Sequence, residues 1–312
     1  MTTRSRPAAV LGLVVVLGLG GCARPAPTTS PTAPASMSAS ASPSADFTQP
    51  GAASAMVNQL LAKAGSRDAL MVEVTAESVQ ISVLEPNHRT ATWAYRGGEI
   101  AEVPSDLAYV DQATFDVSRF TFSDVGALFR AAAGMSGSVE NQNLTIVDYS
   151  GGEVMMSVST VPESRTVFFN ADGSLLPVLD FDTPGGIAQA VAEVVGTRST
   201  VASITIESEQ GAWVDYPAAD DTTVRRTRTA KVPVITNLRA EKLDLPMFAA
   251  ATVDPAVIWS VVDRVRGTSE VPEASEWSVV VDDRDQVGTP RLHFTIAGKV
   301  LVTDLTGAVI SG

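Results

Sequence analysis

Disulfides are excluded from the start, because the 312 residues include a single cysteine, Cys22. The same shortage removes thiolate metal centres and iron–sulfur clusters, which need several cysteines. Only two histidines occur, His88 and His293, so no site requiring three imidazoles can form. His88 sits in the polar turn Glu85-Pro86-Asn87-His88-Arg89, and His293 lies inside an alternating strand pattern, with no second ligand type near either. The four lysines, Lys63, Lys231, Lys242 and Lys299, are preceded three positions earlier by Leu60, Arg228, Arg239 and Ile296. None therefore completes the Ser-x-x-Lys of a Ser–Lys hydrolase, and no Gly-x-Ser-x-Gly elbow occurs. The pairs Gly97-Gly98, Gly151-Gly152 and Gly185-Gly186 lack the Lys-Ser/Thr of a phosphate loop and read as turns. No cofactor and no metal site is expected.

Cations are also scarce. Lys and Arg number 22 against 35 Asp and Glu, a formal net charge of −13. Such a body is a poor partner for nucleic acid, whose phosphates demand Lys and Arg clusters, and is repelled by anionic lipid. Carboxylates are plentiful, and a pair converging in a cleft, as glycosidases use, stays open at this point. Asp282-Asp283-Arg284-Asp285 misses the spacing of a calcium loop and reads as a solvated hairpin turn. The 45% hydrophobic fraction is that of a globular protein with a sizeable core, and the length suits about two domains.

One apolar run stands out, Ala8 to Leu19, preceded by Arg4 and Arg6 and followed by Gly20-Gly21-Cys22. A cationic start, about a dozen apolar residues and a small-residue cleavage site define a secretory leader over residues 1–21. The run is short of the roughly 20 residues of a permanent span, so membrane contact is expected to be a tether. Leu19-Gly20-Gly21-Cys22 resembles the bacterial lipobox. That resemblance implies acylation of the Cys22 thiol and anchoring on the extracytoplasmic face of the cell membrane. The alternative is a secreted protein with a stray cysteine. Residues 22–47 are almost entirely Ala, Pro, Ser and Thr and read as a disordered linker with roughly 30 Å of reach.

Four helix patterns follow. Ser54 to Ala64 places Met56, Val57, Leu60 and Leu61 on one face before Gly65. The second opens at Ser123 and stops at Gly134; the third follows Pro184 and stops at Gly196. The fourth opens at Asp254-Pro255 and stops at Gly267. Each shows one apolar stripe and a glycine suited to a left-handed cap. Between the helices the period switches to two, as in Leu70 to Val74, Val79 to Val83, Thr145 to Val147, Val154 to Val158, Ser203 to Ile206, Ser278 to Val281 and Leu292 to Ile296.

The pattern repeats. Gly65 and Gly196 stand 131 residues apart, as do Pro86 and Pro217, and Gly134 and Gly267 stand 133 apart. Phe168-Phe169-Asn170-Ala171-Asp172-Gly173 echoes Val302-Thr303-Asp304-Leu305-Thr306-Gly307. The expected fold is α+β: two tandem copies of one domain, 48–181 and 182–312, each an antiparallel sheet covered on one face by helices. The ending Asp304-Leu305-Thr306-Gly307-Ala308-Val309 resembles that of PepSY-type domains and the related β-lactamase-inhibitor-like folds. Asn170 to Leu175 matches it loosely; Tyr95 to Ile100 and Thr229 to Val234 depart from it. The resemblance implies a non-catalytic binding or inhibitory module.

Function is therefore expected to be binding, through an envelope protein partner or an apolar or anionic ligand. The alternatives are a carrier holding lipid in a cavity between sheet and helices, and a carboxylate hydrolase. One basic spot interrupts the acidic body: Val224-Arg225-Arg226-Thr227-Arg228-Thr229, with Lys231 just beyond. Strand alternation puts Arg226 and Arg228 on one face, and Trp93 and Tyr95 hold the matching place in the first copy. These four residues are the candidate ligand contacts. The competing account is pairing with Glu207, Glu209, Asp215, Asp220 or Asp221, close by in sequence.

Overall fold

The computed structural model describes residues 45–105, 112–160, 165–218, 221–268, 272 and 275–311. The leader, Cys22 and nearly all of the expected linker lie outside the described residues. The fold is α+β, with four α-helices and two large antiparallel sheets among the described residues.

The chain opens with α1 (Ala52–Ala64) and the two-residue β1 (Asp68–Ala69). A meander follows: β2 (Met71–Val74), β3 (Val79–Leu84), β4 (Thr90–Arg96) and β5 (Glu99–Val103). After β6 (Phe115–Asp116) come α2 (Val125–Ser136) and a second meander, β7 (Asn143–Ser150), β8 (Glu153–Ser159) and β9 (Thr166–Phe169). The order then recurs with α3 (Pro184–Val195), β10 (Thr200–Val201), β11 (Ser203–Glu207), β12 (Gly211–Pro217), β13 (Thr223–Arg228) and β14 (Ile235–Arg239). It finishes with β15 (Phe248–Ala249), α4 (Pro255–Arg266), β16 (Trp277–Asp282), β17 (Arg291–Ile296), β18 (Lys299–Thr303) and β19 (Val309–Ser311).

The first sheet is ordered β5-β4-β3-β2-β7-β8-β9, and the second β14-β13-β12-β11-β16-β17-β18-β19. In each, two meanders run outward from a central antiparallel pair, β2 with β7 and β11 with β16. The registers correspond. Val72 sits opposite Ile81 and Ile146, as Ile204 sits opposite Val214 and Val281. The bridges β1–β6 and β10–β15 correspond too, setting Ala69 against Phe115 and Val201 against Phe248.

Helix ends follow local chemistry, though several depart from the sequence reading. The α2 N-cap is Asp124 rather than Ser123, its carboxylate accepting from Ala127 N–H at 2.8 Å. The helix runs through Gly134, which costs a helix interior only about 1 kcal/mol, and ends at Gly137 in the left-handed region. The counterpart of Gly267 is therefore Gly137. Gly267 itself keeps right-handed helical geometry. α1 starts at Ala52 after Gly51 rather than at Ser54, and Gly185-Gly186 lies inside α3 rather than in a turn. Gly196 closes α3 at φ 58° and ψ −126°, outside left-handed helical geometry. Gly65 is left-handed after α1, and Asp254 accepts from Ala256 N–H ahead of Pro255, as expected.

Two buried apolar clusters hold the body. The first joins Val57, Leu60, Val125 and Phe129 of the helices to Val72, Ile81, Leu144, Ile146 and Met156 of the strands. The second joins Ile187, Val194, Ile258 and Val262 to Ile204, Val214, Val279 and Phe294. Phe47 belongs to the first cluster, 2% exposed and edge-to-face with Tyr95 at 5.3 Å between centroids. The packed chain thus begins before residue 48, because one aromatic in the polar stretch finds a hydrophobic seat. The Asp-x-Thr-Gly ending is a turn between β18 and β19. Asp304 accepts from Thr306 N–H, the Thr306 hydroxyl and Ala308 N–H, which hold its carboxyl below the usual range. Gly307 takes a φ of 82° there, a region that favours glycine.

Candidate functional site

Alternation along β13 sends Arg226 and Arg228 to the face where the neighbouring β12 residues Ala212 and Val214 enter the core. Arg228 lies opposite Ala212, small enough to leave room, and its side chain is fully buried. Every nitrogen of its guanidinium is engaged. Nε donates to Glu193 Oε2 of α3 at 2.5 Å, and Nη2 to the Pro177 carbonyl at 2.8 Å. Nη1 donates to the Val232 carbonyl at 2.8 Å and also to that of Thr229. Arg228 is thus a clamp and not a ligand contact. Burying a guanidinium is tolerable only when its donors are matched this fully.

Arg226 is also consumed within the fold. Its Nη2 reaches Glu153 Oε1 of β8 at 3.3 Å and the Glu193 carbonyl at 3.4 Å, leaving 16% of the side chain exposed. Trp93 and Tyr95 hold the equivalent register positions of β4, opposite Ile81 and Val79, and pack half-buried against the first core. They form no exposed aromatic platform. The four candidate residues are therefore not brought together, and each is drawn inward by packing or pairing. Of the nearby acids, Asp215 takes a cation, but it is Arg225 on the opposite face, forked at 2.7 Å to both carboxylate oxygens. The partners of Arg226 and Arg228 lie 73 and 35 residues away in the chain.

What the Arg228 clamp builds is a cleft. By gripping the carbonyls of Thr229 and Val232 it fixes the turn that carries Lys231, and Leu179 N–H donates to the Ala230 carbonyl at 2.9 Å on the same turn. By gripping Pro177 it fixes the connecting segment beside β9. The resulting cleft of about 500 Å³ is lined by Met135, Ser136, Arg165, Thr166, Val167, Phe168, Leu175, Leu176, Val178 and Lys231. Met135, Leu175 and Val178 are 51%, 38% and 49% exposed, unusual for large apolar side chains converging on one spot. Arg165 Nη1 donates to the Ser136 carbonyl at the C-terminal end of α2, at 2.7 Å. Of these residues only Lys231 stood out in sequence. The exposed apolar positions carry no sequence signal, since an exposed Leu and a buried one look alike in a pattern.

The other face of the second sheet carries a row of charge. Ser203 lies between Asp215 and Asp282 in register, and its hydroxyl donates to Asp215 Oδ2 at 3.3 Å. Asp282 is forked by Arg284 at 2.7 Å, Asp283 accepts from Val287 and Gly288 N–H, and Asp285 accepts from Arg291. The solvated hairpin turn expected over Asp282–Asp285 thus holds only for Arg284 and Asp285. Asp282 ends β16, and it and Asp283 are buried, held by Arg284 and by the Val287 and Gly288 N–H groups. The carboxylate pair across Ser203 is already neutralised by arginine. In the first sheet the same positions hold Thr92, Ser82, Met71, Val147 and Met155.

His293 stands one strand further, on β17, its Nε2 buried without a hydrogen-bond partner and 3.6 Å from Asp282 Oδ1. Burial, then the Arg284 charge, push its pKa below the usual 6.5, against the opposing pull of Asp282 and Asp285. The folded chain thus disfavours the protonated ring that the unfolded chain accepts. Stability is complete above about pH 6.5 and falls as acid protonates the unfolded state first. The urea midpoint is expected to drop between pH 7.5 and pH 5.5, and His293→Gln to flatten that drop. An equal decline in both proteins would assign it to other groups.

Compared with known proteins, the chain matches no family model and no curated sequence.

Proposed function

We propose that this protein is a non-catalytic binding module, tethered by acylated Cys22 to the outer face of the cell membrane ahead of an Ala/Pro/Ser/Thr-rich linker. Its body is read as two tandem PepSY-like domains, 48–181 and 182–312, each an antiparallel sheet covered on one face by helices. The matched strand orders and registers support that duplication. The observation that carries the binding role is the cation-flanked apolar cleft at β9, held in shape by a fully buried arginine. Folded chains seldom leave three large apolar side chains exposed together without an occupant.

The second reading, a carrier for lipid or another apolar ligand, draws on the same cleft, although it opens at a sheet edge beside α2. A photo-crosslinking residue at Val178, compared with one at the equally exposed Val287, tests both readings in cells. A discrete adduct from position 178 and none from 287 is expected. Equal labelling, or none at 178, would remove the cleft from the account.

A further inference from the structure

We infer that the cleft holds a single-chain amphiphile with an anionic head, a long-chain carboxylate being the simplest case. The inference rests on the binding-module reading and names its ligand. Three observations converge on it. The chain has 35 Asp and Glu, yet among the described residues no carboxylate lines the cleft, whereas two cations do. Arg165 immediately precedes β9 and Lys231 lies in the turn after β13, so positive charge enters from two separate segments. Apart from Ser136 and Thr166, the lining between them is aliphatic and aromatic: Val167, Phe168 and Leu176, with the more exposed Met135, Leu175 and Val178.

Shape narrows the class. About 500 Å³ falls within the roughly 300–1,000 Å³ of small-molecule sites. A folded protein partner needs about 800 Å² of complementary surface on each side, more than such a cleft offers. A sugar would leave the apolar rim without a use, and a polyanion would meet the net charge of −13 beyond the two cations. An acyl chain against the apolar lining, with its head between Arg165 and Lys231, uses both features.

The fluorescent fatty acid cis-parinaric acid is the probe, titrated against the full chain carrying Cys22→Ala, so that no membrane competes. Saturable binding of one probe per chain is expected. Lys231→Glu should weaken it about tenfold or more, the effect of losing a charge-assisted contact, and leave binding of the corresponding parinaryl alcohol nearly unchanged. Leu175→Asp with Val178→Asp should abolish binding of both probes; these side chains are exposed, so the double variant should melt like the parent. Absence of saturable binding by the parent overturns the proposal. So does equal affinity for acid and alcohol with Lys231→Glu silent. A crosslink at position 178 without parinarate binding overturns the amphiphile while leaving the binding module standing.

Discussion

Arg228→Ala is expected to lower the unfolding free energy by about 2–5 kcal/mol, the range for truncating a large, fully buried side chain. The arginine has no exposed surface, and its loss strands several groups at once. Glu193 is 29% exposed and can rehydrate. The carbonyls of Pro177, Thr229 and Val232, in part-buried hydrogen bonds, each lose a donor, and an acceptor left unsatisfied away from water costs about 1–3 kcal/mol. Arg228→Lys should recover only part of the loss, because an ammonium cannot reproduce a fork aimed at four acceptors. With total stabilities of about 5–15 kcal/mol, the alanine variant would sit near the edge of folding. Urea unfolding measures the effect. A loss under about 1 kcal/mol would mean that water reaches the guanidinium and that the turn bearing Lys231 is held by other contacts.

Cys22→Ala is expected to move the protein from the membrane fraction to the soluble one. A single acyl chain binds only marginally, with a partition constant of about 10⁴ M⁻¹, and stable anchoring needs two signals. The two chains of a diacylglyceryl cysteine would supply both. No described helix is long and apolar enough to cross a membrane, and a body of net charge −13 is repelled by anionic lipid. The parent should carry the acyl mass on its N-terminal peptide. If the variant still sediments with membranes while the parent shows no acyl mass, the tether is wrong.

The helices were legible because an apolar stripe, a capping side chain and a terminal glycine are local facts. α3 and α4 start where Pro184 and Pro255 place them. The slip at Gly134 has a local cause as well: glycine is permitted inside a helix, and only the packing of the following turn shows whether the helix stops. The doubled strand order was legible in outline through the 131-residue offsets. The ladders confirm the match of Trp93 with Arg226 that the repeat had placed.

Sequence by itself determined composition, charge, the chemistries that a single cysteine and two histidines rule out, and the alternation of helices with β-rich stretches. These depend on residues near one another in the chain. The fates of Arg226 and Arg228 were decided by tertiary structure, because Glu153, Glu193 and the Pro177 carbonyl approach them from distant segments. Alternation places two arginines on a face; it does not tell whether that face meets solvent or a helix. The cleft belongs to the same class. Met135, Phe168, Val178 and Lys231 come from four segments, and only their meeting makes an apolar surface with cations at its rim.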